Sequence, residues 1–308
     1  LLALLRANYV DFDKLPRKDA DLSGLIAQSK GGLSVAPVAA SNVRMFSVVL
    51  PGNVVYWRAG SFTPETSWHA LATEANQAGS PGMVVDLRSN TTPDDYDGAM
   101  KVAAFMAPGQ TGLVVHGVSL SAPAPAPETL RGQPTIVVLT DHETCGAAEA
   151  LAACLKSHGA LVMGEATQGK AAIFKQVSLT SGSVLRYATA HVYLADGTDL
   201  WDRPVQPDVT TTTDTKAEQT ALAMIDENQV QSVIGEANER HRMSEAALVQ
   251  GQDPEQDQFL ESREKNAVAA PSAPVTRDVA LVEAIDSLKA IHVLQGQDLG
   301  NSTNVAVR

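Results

Sequence analysis

The sequence predicts an α/β fold with much parallel pairing, and three observations lead there. Short buried-type strands alternate with helical segments from about residue 43 to 210. The apolar content is 44% over 308 residues, enough for a large core. After Gly169 the pattern switches to strands and turns without helices.

Residues 1–42 read as a helical segment ("LLALLRANYV", "DADLSGLIAQSK"). The chain does not start with Met, which points to a removed leader or a cloning boundary. "VRMFSVVL" and "NVVYWRAG" read as two strands joined at Pro51-Gly52. Thr63-Pro64 opens a helix that Gly79 closes. "GMVVDLR" is a buried strand. Thr92-Pro93-Asp94-Asp95 then starts a helix to about Met106, with a capping hydroxyl and two carboxylates at its positive end.

"GLVVHGVSL" reads as one strand, and "SAPAPAPE" as an extended surface linker. "PTIVVLT" is the most strand-like run. "TCGAAEALAACLKSHG" is a helix of small residues, and "ALVMGE" a strand. Two hairpin strands follow, "AIFKQVSL" and "VLRYATAHVYL". From Asp214 the composition turns polar: a helix or helix pair over 216–250, a mobile linker near 251–276, and an amphipathic helix over 277–294. The expected divisions are therefore 1–42, 43–213 and 214–308.

A formal charge of −12 with no basic run excludes nucleic acid as a partner. No apolar run approaches the roughly 20 residues that span a bilayer. Cys145 and Cys154, nine residues apart on one helix, sit about 13 Å apart, too far for a disulfide. Asp141-His142-Glu143 invites a metal reading, but neighbouring side chains diverge and no second cluster accompanies it. No metal and no cofactor is expected. His158 is a partner for the helix C-terminus, and Trp57, Trp68 and Trp201 are packing residues.

"GEATQGKAAIF" (164–174) nearly matches the phosphate-loop pattern. A phosphate loop needs a helix right after its Lys, and a hydroxyl where this chain has Ala171. A β-type run follows instead, so Lys170 is not a phosphate ligand.

Four stretches resemble the carboxyl-terminal processing (tail-specific) serine peptidases: "VLPGNVVYWRAGSF", "GMVVDLRSN", "PTIVVLTDHETCGAAEALAACLKSHGALVMGEATQGKA" and "GSVLRYATAHVYLADGTDLWDRPVQPDV". They cover about residues 43–210. The resemblance implies a Clp-protease/crotonase-like core with helical additions at both ends, a polypeptide substrate or ligand, and a periplasmic or secreted address. It also implies that Lys170 is the general base of a Ser/Lys dyad. Such a Lys must be neutral to take a proton, hence buried, and Ala171, Ala172 and Ile173 supply apolar surroundings.

Anchored on Glu149, the family's nucleophilic Ser falls on Gly146, which has no side chain. The acidic or polar residue near the helix end falls on Ser157. The oxyanion positions fall on Ala147, Thr92 and Pro93, and a proline has no N–H to donate. The resemblance therefore implies a catalytically degenerate member, a peptide-binding or scaffold protein. Lys170 would then be a remnant paired with Glu149 or Glu165, unless it retains a role.

The alternatives are an active tail-cleaving peptidase whose nucleophile lies elsewhere, with Ser157 and Ser178 the nearest serines, and a structural protein that forms a homo-oligomer through its terminal helices. Cys145, at a helix start that favours a thiolate, is an alternative nucleophile; Thr144 is another, although capping the helix suits it better. About a dozen residues separate "GGLSVA" from the first core strand, too few for a PDZ module, since folded domains take roughly 50 residues or more.

Overall fold

The structure, a computed structural model, describes residues 43–60, 82–91, 95–107, 134–178, 184–211, 214–234 and 276–294, with short stretches at 33–35, 112–115 and 118–121 and a few single positions between them. The helices expected before residue 31, most of the helix expected over 64–79, the Pro/Ala linker, the segment 251–275 and the tail after Gly300 lie outside the described residues. So do Thr92 and Pro93.

The chain divides into two compact units, residues 1–212 with 280–308, and residues 213–279. The first holds a six-stranded sheet in the order β11-β8-β7-β4-β3-β2. Its strands are β2 (Phe46–Leu50), β3 (Val54–Arg58), β4 (Gly82–Asp86), β7 (Thr135–Thr140), β8 (Leu161–Gly164) and β11 (Val209–Thr210). All neighbours pair parallel except β2 and β3, the hairpin expected at Pro51-Gly52. β3 and β4 are buried along their whole length. That accounts for their continuous apolar runs, since a parallel sheet is covered on both faces.

Helix α1 (Tyr96–Met106) and helix α2 (Ala147–Ser157) pack into the main core with Val55, Trp57, Val85 and Val138. The first helix begins later than the Thr92 cap predicts. Asp95 is its N-cap, with a side chain that accepts from the Gly98 N–H at 3.1 Å. Where two hydroxyls and two carboxylates crowd one helix start, the backbone geometry decides which of them caps.

A second sheet has the order β1-β10-β5-β6, with β9 paired to β10. It comprises β1 (Leu33–Val35), β5 (Gly112–Val115), β6 (Val118–Ser121), β9 (Ala172–Ser178) and β10 (Val184–Leu194), all antiparallel. "GLVVHGVSL", read as one strand, is the β5–β6 hairpin.

Helix α5 (Val279–Leu294), the expected amphipathic helix, brings Leu288 against β4 at Gly82. A Cβ at Gly82 would meet the end of the Leu288 side chain at 2.6 Å and the Thr135 carbonyl oxygen at 3.0 Å, so a larger residue there would displace Leu288. In the second unit, α3 (Thr215–Asp226) is capped by the Asp214 side chain on the Lys216 N–H, and α4 (Val230–Ile234) follows it. Among the described residues no helix is long and apolar enough to cross a membrane.

Candidate functional site

The site forms where the loops after β4 and β7 meet the start of α2. Asp86, at the end of β4, is fully buried. Its carboxylate accepts from Arg58 Nη1 (3.1 Å), Arg88 Nε (3.0 Å), Arg88 Nη2 (2.7 Å), the Arg88 N–H (3.1 Å) and the Tyr56 hydroxyl (2.8 Å). The two guanidiniums hold its carboxyl well below the usual carboxylate range against the opposing effect of burial. The phenol of Tyr56 is pushed up by burial and by the neighbouring Asp86.

Asp141, after β7, organises the next loop. One oxygen accepts from the Thr144 N–H (2.8 Å), the Thr144 hydroxyl (2.9 Å) and the Glu143 N–H (3.1 Å). The other accepts from the N–H (2.7 Å) and hydroxyl (3.1 Å) of Ser89. Cys145 N–H donates to the Asn90 carbonyl at 3.2 Å. The two loops are thereby stitched together beside α2. Thr144 is fully buried, and its hydroxyl also lies 3.0 Å from the Leu87 carbonyl. Its bonds tie loop to loop. The expectation that Thr144 caps α2 is corrected: the N-cap is Gly146, and no side chain caps the helix.

Gly146 is the residue immediately before α2. Its backbone lies at φ 62°, ψ −128°, a region that L side chains rarely adopt. The first i to i−4 bond of α2 runs from the Ala150 N–H to the Gly146 carbonyl (3.0 Å). The N–H groups of Ala147, Ala148 and Glu149 therefore precede the helix ladder, and Ala147 is fully buried.

Glu149 projects from this first turn toward the segment that carries Lys170. One carboxylate oxygen accepts from the Thr167 hydroxyl in a short bond and from the Gly169 N–H (2.6 Å); the other accepts from the Lys170 N–H (2.7 Å). The Thr167 hydroxyl oxygen in turn accepts from the Val205 N–H (2.8 Å). All these donors are neutral. Burial outweighs them and pushes the Glu149 carboxyl up to about 7.

The sequence expectation that Lys170 pairs with Glu149 or Glu165 is corrected. The Glu149 oxygens are taken by backbone N–H groups and a hydroxyl, and Glu165 lies 3.1 Å from His142 Nδ1. Among the described residues, no carboxylate forms an ion pair with the Lys170 ammonium. Lys170 is half-buried and sits opposite Trp201 in an antiparallel bridge. Of its expected apolar neighbours, Ala171 and Ala172 are fully buried and Ile173 half-buried.

The Cys145 environment runs opposite to the sequence expectation. Its thiol is half-buried, and burial together with Glu149 pushes it up to about 11, although Arg186 and Lys170 pull the other way. Proximity to a helix start does not compensate for loss of solvent.

Ser157, at the far end of α2, donates its hydroxyl to the Cys154 carbonyl (2.7 Å), and His158 Nδ1 lies 2.7 Å from the same oxygen. His142 is exposed, and its pairing with Glu165 raises its pKa. Among the described residues no three His, Cys, Asp or Glu side chains converge as metal ligands. From the sequence, Glu149 is an alignment anchor and a candidate partner for the Lys170 charge, and Asp141 belongs to a possible metal cluster; neither is marked there as an organiser of the loops. The available signal was Asp three residues before Thr at a strand end, which is the pattern of a side chain turning back on its own loop.

Comparison with known proteins accords with this layout. The profile of Peptidase family S41 matches residues 53–211, just over half of the chain. No curated protein sequence matches it. Among solved structures, the photosystem II D1 C-terminal processing protease is 25% identical, with a TM-score of 0.46; the match covers 64% of this chain and 52% of that one. A lipoprotein from Streptococcus agalactiae is 16% identical with a TM-score of 0.48, covering 73% of this chain and 94% of that one. The tricorn protease is 15% identical with a TM-score of 0.39, covering 69% of this chain and 19% of that one. The chain thus spans about half the length of the D1 processing protease. The α/β fold with its mixed sheet is the ClpP/crotonase-like fold of this family. The chain belongs to peptidase family S41.

Proposed function

We infer that this chain is a non-catalytic S41 member that binds polypeptide at the former cleavage site. The observation that carries the reading is Gly146. It stands where the family resemblance expects the nucleophilic Ser, at a helix start in a backbone conformation that glycine adopts without cost. Without a side chain there is no oxygen to attack a carbonyl, and no covalent intermediate forms. The neighbouring candidates do not replace it: the Thr144 hydroxyl bridges two loops, and the Cys145 thiol is held protonated.

The groups that would position a peptide persist. The N–H groups of the first turn of α2 remain, and Lys170 is held by Glu149. In this reading Pro93 contributes no oxyanion N–H, no PDZ module lies between β1 and β2, and the protein acts outside the cytoplasmic membrane, in the periplasm or secreted. The address rests on the family resemblance and is checked by cell fractionation.

The test is labelling with a fluorophosphonate probe. The unaltered chain stays unlabelled, and Gly146→Ser becomes labelled in a manner that requires Lys170. Labelling of the unaltered chain that disappears in Lys170→Ala overturns the reading.

A further inference from the structure

Residues 165–170 join β8 to β9 and close over the Glu149 side chain. Gln168 is exposed, and Glu165, Ala166 and Lys170 are half-buried, so solvent lies on the outer side of the segment. Glu149 is fully buried on its inner side. Three donors of the segment converge on its carboxyl: the Thr167 hydroxyl, the Gly169 N–H and the Lys170 N–H. The segment thus stands between a buried carboxyl and water. Gly164 (φ 113°) precedes it and Gly169 (φ 72°) lies near its other end. Two glycines at the two ends of a short connection give it hinges that absorb backbone rotation. Further ties run from the Glu165 N–H to the Thr140 carbonyl (2.9 Å), the Gln168 N–H to the Thr144 carbonyl (2.9 Å), the Thr167 N–H to the Val205 carbonyl (3.2 Å) and the Asp202 N–H to the Gly169 carbonyl (2.9 Å).

Charge does not hold Glu149 in place. Among the described residues no cation pairs with it, and Lys170 gives it only a backbone N–H. The charged and titratable groups of the surrounding elements are these. Cys145 stands at the start of the same helix, and Glu149, Arg186 of β10, Lys170 and Asp141 all act on its thiol. Asp141, after β7, accepts from Ser89, Glu143 and Thr144. Glu165, on the segment itself, lies beside His142. In the stretch after β10, Asp199 is engaged by His191, Asp208 by Lys156, and Asp202 and Arg203 are exposed. A carboxyl so placed is easily kept as the neutral acid, whereas an anion there lacks both water and a counter-charge. Burial accordingly lifts it from 4.5 to about 7. The closed segment holds the proton more tightly than water does, so by linkage the proton holds the segment closed. That contribution is complete below about 4.5, declines as pH rises and is gone above about 7.

We propose that residues 165–170 are a proton-operated flap over Glu149, shut while its carboxyl carries a proton and released when the carboxyl ionises and turns toward water. Release lets go of the Thr167 hydroxyl and of the Gly169 and Lys170 N–H groups together, because one carboxyl holds all three. Lys170 ends the segment, and its charge reaches the Cys145 thiol beside Gly146. Opening therefore rearranges the former cleavage site itself. The flap works whether or not a peptide binds there.

Hydrogen exchange read by mass spectrometry tests it on the full chain from pH 5 to pH 8, with each rate divided by the intrinsic exchange rate at that pH. In the unaltered chain, residues 165–170 lose protection by roughly tenfold or more over this range. Residues 135–140, in β7 at the centre of the sheet, stay the better protected at every pH, which marks the opening as local. In Glu149→Gln, which cannot ionise, the protection of 165–170 no longer changes with pH. Protection of 165–170 that is flat in the unaltered chain overturns the flap. Exchange of 165–170 and 135–140 at the same corrected rate at pH 8 overturns it as well, because the opening is then global; both of these results are read without any variant. A pH response that persists in Glu149→Gln assigns the proton to another group and overturns it too.

Discussion

Two buried carboxylates hold this molecule together at neighbouring places, and they do so by opposite means. Asp86 is surrounded by charge: two guanidiniums and a phenol converge on it. Glu149 is surrounded by dipoles: two backbone N–H groups and a hydroxyl. Both lose water on folding. Formal charges more than compensate at Asp86 and drive its carboxyl down, whereas neutral donors fall short at Glu149 and leave it titrating near neutrality. The first carboxylate is a permanent fixture of the sheet; the second is a conditional one under the functional loop.

The largest effect that distinguishes them is removal of the charge at Asp86. Asp86→Asn leaves two guanidiniums buried without a counter-charge, and stability in urea should fall by roughly 3–5 kcal/mol. A loss under about 1 kcal/mol would mean that water or another acid replaces it, and the contrast would fail.

Next comes the pH profile. The Glu149 carboxyl is raised, so its stabilising share is complete below its ordinary value near 4.5 and declines as pH rises through about 7. Asp86 is lowered, so its share is complete above the ordinary carboxylate range and is lost only as pH falls through its depressed value. Between pH 5 and 8, the unaltered chain should lose on the order of 3 kcal/mol relative to Glu149→Gln. The glutamine variant itself should give up one hydrogen bond at every pH, because its amide nitrogen cannot accept. Parallel pH profiles would show that Glu149 does not titrate in this range.

A smaller effect is expected at Gly146. Gly146→Ser forces a Cβ into a left-handed φ and should cost roughly 1–3 kcal/mol. An unchanged stability would show that the loop relaxes and that the backbone does not select glycine. Smallest is His142→Ala. Its pairing with Glu165 is solvent-exposed, so the change should stay within about 0.5 kcal/mol.

The parts of the fold that were legible in the sequence are those where side-chain chemistry alone sets the structure. β3, β4 and β7 are unbroken apolar runs because both faces of the sheet are covered, and the run itself announces this. The break between β5 and β6 falls at His116-Gly117, a polar residue and a glycine that interrupt the apolar run at the spacing of a two-residue hairpin loop, a signal that the one-strand expectation does not use. β11 is two residues long and too short to show any period. The same division holds at the site. Lys170 and Gly146 are visible as residue types in a pattern. The roles of Glu149 and Asp141 depend on backbone N–H groups, which every residue but proline carries, so no letter of the sequence marks those partners. The burial that raises the Cys145 thiol is likewise a property of the packed loops, where a helix start in isolation suggests the reverse.

The measurement closest to the central claim is prolonged incubation with an unfolded polypeptide such as reduced casein, followed by mass spectrometry of the products. The account predicts that the unaltered chain and Lys170→Ala are both indistinguishable from a control without protein, whereas Gly146→Ser produces new peptides. Cleavage by the unaltered chain that is abolished in Lys170→Ala would contradict it, because a working nucleophile would then have to stand somewhere other than residue 146.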